Sequence, residues 1–110
     1  MIDHIVLFAL KADAPRDELP TLIARMRAVA ARIDGLEEYR LGPDLQLRPG
    51  NDDLAIVARF VDRASLDSYL TDSEHLAILA EYGPRLVAEK HSVQFEDYGA
   101  QRGTRVSAGV

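Results

Sequence analysis

The chain has 110 residues, a net charge of −5, 47% hydrophobic and 28% charged residues, and no cysteine. That length makes one domain, and an acidic balance with no run of Lys or Arg argues against nucleic acid or an anionic membrane as partner. Disulfide and thiolate chemistry are excluded, and a cysteine-free chain suits a reducing cytoplasm, the location expected.

Ile2 to Leu10 (IDHIVLFAL) predicts a first strand. The run is too short to span a bilayer, and it lacks the basic start and the cleavage site of a leader. Ile2, Val6, Phe8 and Leu10 fall on one face, and Ile5, Leu7 and Ala9 on the other. A strand apolar on both faces must be covered on both sides. His4 is the one polar residue on the even face, either a pocket residue or a satisfied core histidine.

Asp17 to Ile33 predicts a helix. Leu19, Leu22, Ile23, Met26, Val29, Ala30 and Ile33 form its apolar stripe, and Gly35 is expected to stop it. A weaker strand covers Leu36 to Leu41 and ends at Gly42-Pro43; Pro49-Gly50-Asn51 marks a turn. Leu54 to Val61 predicts a third strand, apolar on both faces except for Arg59. Asp62 is positioned to cap a helix over Arg63 to Leu70, and Ser73 to cap the next. Leu76, Leu79 and Ala80 are expected on the buried side of that helix. Gly83-Pro84 is expected to interrupt it, with Leu86-Val87 continuing. His91 to Tyr98 predicts the last strand. Gly99 to Val110 has no periodicity and reads as a mobile tail after a domain spanning 1–98.

The order is β-α-β-β-α-β. That predicts an α+β, ferredoxin-like fold: a four-stranded antiparallel sheet with helices on one face. Helices on one face leave Ile5, Leu7 and Ala9 in water. An apolar patch of that kind marks an interface, and a second copy of the chain is the simplest cover. A homodimer pairing through its sheets is therefore expected.

The chemistry concentrates between Tyr69 and His75. A phenol and an imidazole lie six residues apart, across a helix break at Asp72-Ser73. Imidazole suits a general base near neutral pH, and a helix N-terminus favours its neutral form. Asp97 is a candidate to hold one ring nitrogen. The plainer reading makes His75 a first-turn helix residue and Tyr69 a packing residue. His4, His75 and Asp97 contain no close-spaced ligand pair, so no metal is predicted. Ser65, Ser68 and Ser73 lie in no nucleophile elbow, and the glycine turns make no phosphate cradle.

Several landmarks together resemble the stress-responsive dimeric α/β-barrel domain (Dabb) family. They are His4-Ile5-Val6-Leu7-Phe8, then Phe60-Val61-Asp62, then Tyr69 to His75 in place of a Tyr-x-x-His-Pro-x-His element, and finally Asp97-Tyr98. The resemblance implies a dimeric α/β barrel. Some plant members resemble polyketide cyclases that close a linear chain by aldol condensation without metal or organic cofactor. Their general base corresponds to His75, their orienting phenol to Tyr69 and their first-strand histidine to His4. Asp72-Ser73 replaces the family's His-Pro pair, and Leu54 lies near the point where the cyclases carry another histidine.

The resulting expectation is a homodimer that binds a small, largely apolar or aromatic molecule between sheet and helices, without a cofactor. His4, Val6, Phe8, Ile23, Met26, Leu54, Ile56, Tyr69, His75 and Ile78 would line the pocket. Acid–base, cyclase-like chemistry would fall to His75, Tyr69, His4 and Asp97. Two rivals stand beside it: a non-catalytic stress-response or binding protein, and a cofactor-free monooxygenase of the related barrel superfamily.

Overall fold

The computed structural model describes residues 1–101 and 103. Strands β1 (Ile2–Leu10), β2 (Leu36–Pro43), β3 (Leu54–Phe60) and β4 (Val87–Glu96) form one antiparallel sheet in the order β2-β3-β1-β4. Helices α1 (Leu19–Ala30), α2 (Arg63–Leu70) and α3 (Ser73–Leu86) cover one face. The fold is ferredoxin-like, as the element order implies. Most of the tail expected over 99–110 lies outside the described residues.

Alternation along the central strands decides the core. Ile2, His4, Val6, Phe8 and Leu10 of β1 are buried under the helices, beside Leu54, Ile56, Ala58 and Phe60 of β3. Leu22, Met26 and Val29 of α1 meet them from above, with Leu66 and Tyr69 of α2 and Ile78 and Leu86 of α3. Four ion-paired contacts tie α1 and the turns on either side of it to α3 and its N-cap. Arg25 meets Glu74 at 2.9 Å and also Glu81, Arg32 meets Asp72 at 3.2 Å, and Arg85 meets Glu18 at 2.8 Å. Pairs this exposed contribute little stability each. Together they hold the helices in one register over the sheet.

Several boundaries differ from the sequence expectation, each for a local reason. A 3-10 turn over Arg16–Glu18 precedes α1, which puts Pro20 in the first helical turn, where its missing N–H costs nothing. Gly35 does not stop α1, which ends at Ala30. Instead its φ of +84° turns the chain into β2. β2 runs through Gly42-Pro43 because it is an edge strand, where proline is tolerated. Asp72, not Ser73, caps α3, accepting from the His75 N–H at 3.0 Å. Gly83-Pro84 does not interrupt α3. The carbonyls of its last turn are taken by Val87 N–H, by Lys11 Nζ and by Lys11 N–H, so the helix reaches Leu86. β4 then begins at Val87, four residues before the expected start, and ends at Glu96, short of Tyr98.

The buried side of α3 is also rotated from expectation. His75, Ile78, Tyr82 and Leu86 face inward, while Leu76 is half exposed. The outer face of the sheet is left open in the single chain. Leu7 is 39% exposed, Val93 52% and Phe95 43%. Ile5 and Val57 lie between them in the register Val57–Ile5–Val93. Among the described residues, no helix is long and apolar enough to cross a membrane.

Candidate functional site

The helix-facing side of β1 lifts His4 toward the α2–α3 junction. The capping box at Asp62 and Ser65 starts α2 and aims Tyr69 back at the sheet. Asp72 then starts α3, whose first turn carries His75 inward. The result is one aromatic cluster. Tyr69 contacts His75 with ring centroids 4.3 Å apart, Phe60 at 5.5 Å, Tyr39 at 5.9 Å and His4 at 6.0 Å. Tyr69 and His75 are 1% and 5% exposed.

The polar atoms of this cluster are matched unevenly. The hydroxyls of Tyr69 and Tyr39 share a hydrogen bond of 2.9 Å. The Gln94 side-chain amide donates to His4 Nδ1 at 2.8 Å, which leaves the proton of a neutral His4 on Nε2. His75 Nδ1 is buried with no hydrogen-bond partner. A buried polar atom left unmatched costs about 1–3 kcal/mol, so it marks either a strained packing position or a group waiting for a partner.

Burial sets the protonation of the cluster. Desolvation lowers the pKa of His75, and Lys90 adds to this, against the opposing pull of the Leu70 carbonyl and the Asp72 carboxylate. Desolvation also lowers His4, helped by Lys90 and His75. Both imidazoles are therefore neutral at pH 7. Burial pushes the Tyr69 and Tyr39 phenols up, so both remain protonated.

Beside the cluster lies an apolar cavity of about 170 Å³, between the sheet and helices α1 and α3. Phe8, Met26, Leu54, Ile56 and Ile78 line it, as the sequence suggested. His4, Val6, Ile23, Tyr69 and His75 do not. His4, Val6, Tyr69 and His75 are buried elsewhere in the core, and Ile23 is partly buried against it. Leu22, Leu41, Leu79, Tyr82 and Lys90 line it in addition.

Asp97 is not part of this group. It ion-pairs with Arg59, which also meets Asp3 at 3.1 Å. The three side chains lie together on the outer side of the sheet, opposite the helices, so Asp97 does not orient His75. Gln94, Lys90 and Tyr39 were missed for one reason in two cases. With β4 starting at Val87, Lys90 and Gln94 fall opposite Phe8 and His4 on the helix-facing side. Simple alternation from Val87 would turn both outward, so the register shift opposite Ala9 and Leu10 had to be known. Tyr39 needed the pairing of β2 with β3. Among the described residues, no three His, Asp or Glu side chains converge as a metal-ligand set.

The model of the stress-responsive A/B barrel domain, Dabb, matches residues 2–97. The chain belongs to the Dabb family. Among solved structures, this Dabb chain is similar to a dimeric ferredoxin-like protein of unknown function from Thermobifida fusca, at 33% identity. The match covers 86% of this chain and 88% of that one, with a TM-score of 0.77. A hydroxynitrile lyase from Passiflora edulis shares the fold at 16% identity, covering 91% and 96% of the two chains with a TM-score of 0.73. A cofactor-independent oxygenase from Streptomyces nogalater does so at 15% identity, covering 90% and 94% with a TM-score of 0.71. Among curated proteins none matches this Dabb sequence.

Proposed function

We propose that this Dabb protein is a homodimer whose protomers each bind a small, largely apolar molecule between sheet and helices. The apolar cavity carries the reading. At about 170 Å³ it is comparable to cavities of about 150 Å³ that accept benzene. Its walls are aliphatic and aromatic, as ligand sites are, with few polar groups to fix orientation. The dimer reading rests on the open apolar outer face and on the dimeric relative at 33% identity.

A second reading adds cofactor-independent acid–base chemistry. The unmatched His75 Nδ1 favours it, because a neutral buried imidazole beside a phenol is suited to taking a proton from carbon next to a carbonyl. The oxygenase of the same fold works without a cofactor, and the lyase of the same fold shows that the scaffold also hosts bond cleavage. His75 is not in the cavity wall, so for this chemistry a ligand must extend beyond the cavity to reach it.

Amide chemical-shift mapping with acetophenone and phenol tests both readings. Binding in the cavity perturbs Phe8, Met26, Ile56 and Ile78, and Ile56→Phe, which fills the space, abolishes the perturbations. Shifts that also reach His75 support the catalytic reading, and their absence confines the protein to binding. If no probe perturbs the cavity residues, the cavity is a packing defect and the binding reading fails.

A further inference from the structure

We propose that the cavity selects a ligand with one negative charge, a benzene-sized body buried among Leu22, Met26, Ile56 and Ile78 and an anionic head at Lys90. This rests on the reading of the cavity as a binding site and names the ligand class for it. Among the described residues, Lys90 is the only charged one in the cavity wall. The mouth lies between α3 and the edge strand β4, where the wall residues Leu79, Gly83 and Val87 are only partly buried and Lys90 is exposed.

The alternation of β4 separates the charges near this mouth. Glu89 and His91 lie on the outer side of the sheet and approach each other at 3.7 Å. Lys90 points to the helix side, opposite Phe8. Among the described residues, no carboxylate lies within ion-pair distance of its ammonium. The next residues on the same side of the strand, Ser92 and Gln94, are uncharged. A cation at the lip of an apolar cavity attracts an anion while the cavity takes its apolar body. A carboxylate one or two bonds from a six-membered ring has that shape, as does an acidic phenol.

Lysine on an edge strand also discourages edge-to-edge pairing, so the test must separate recognition from solubility. Phenylacetate, its neutral isostere phenylacetamide, and toluene are titrated into the full chain and into Lys90→Gln and Lys90→Glu, followed by NMR. Size-exclusion chromatography and circular dichroism establish that both variants keep the wild-type fold and assembly. In the wild type, phenylacetate is expected to bind about tenfold more tightly than phenylacetamide, in line with a charge-assisted contact. Added salt should shrink that preference. Lys90→Gln should bring the ratio close to one and Lys90→Glu should invert it, while toluene binds all three alike. Equal binding of the two isosteres by the wild type, or a preference that survives Lys90→Gln, overturns the charge selection and leaves the binding reading intact. Failure of all three probes to bind overturns both.

Discussion

The Tyr69 ring lies against the His75 imidazole with centroids 4.3 Å apart and planes 35° from parallel. The contact is short because the break at Thr71-Asp72 folds the start of α3 back over the end of α2. Both rings are uncharged at neutral pH, one held so by burial and the other by its high pKa in the same surroundings. The two residues that sequence spacing singled out are therefore together, but inside the core and beside the cavity rather than within its wall.

Acid should destabilise the protein through its buried histidines. The folded-state pKa values of His4 and His75 lie below the ordinary value of 6.5. Between the folded and unfolded values the unfolded chain binds more protons, so stability rises with pH there. The full stability is present above about pH 6.5 and is lost as pH falls below it. Urea unfolding from pH 7.5 to 5.5 should show this loss, and His75→Gln should reduce it. An unfolding free energy flat across that range in the wild type would contradict the assignment.

Asp72 and Ser73 should separate cleanly on substitution. Asp72 caps α3 through the His75 N–H and also meets Arg32, and both interactions hold its carboxyl below its ordinary pKa. Asp72→Ala should lower the melting temperature, as for other lost N-caps. Its contribution is present above the unfolded carboxylate pKa and is lost as pH falls through the lower folded value, so the two proteins should converge in acid. Ser73→Ala should be close to neutral. Thermal melts of both variants at pH 7 check the contrast.

Gly35 should not tolerate a side chain. Its φ is +84°, and a Cβ there would stand 2.6 Å from Ser65 Cβ and 2.8 Å from Val61 Cγ2. Gly35→Ala combines a strained backbone with an overlap against α2, so a loss of about 2 kcal/mol or more is expected. Gly50→Ala is the comparison. Its φ of +85° carries the backbone strain, but nothing lies within 4 Å of its Cβ position. Denaturant midpoints should place Gly35→Ala well below Gly50→Ala.

The outer sheet face should be where two protomers meet. Light scattering of the wild type at micromolar concentration is expected to give twice the monomer mass. Ile5→Asp, or Leu7→Asp, should give a monomer, because an unpaired carboxylate in an apolar contact is costly to bury. A monomeric wild type would mean that Leu7, Val93 and Phe95 stay in water.

The order of apolar runs in the sequence determined the ferredoxin-like fold, because alternation in β1 and β3 and the 3.6-residue stripe of α1 are local properties of the chain. The His-Ile-Val-Leu-Phe opening and the Tyr69 to His75 stretch were legible in the same way. Tertiary structure decided the rest. Asp97 answers to Arg59 and not to His75 because the pairing of β4 with β1 sets it beside Asp3 and Arg59 on the outer face of the sheet, away from the helices. Val87 begins a strand instead of continuing a helix because Lys11, at the end of β1, takes the carbonyls that close α3. The register shift opposite Ala9 and Leu10 then sets the alternation of β4, and with it the positions of Lys90 at the cavity and Gln94 on His4. These are contacts between residues about forty to ninety positions apart, and no local pattern of charge or hydrophobicity encodes them.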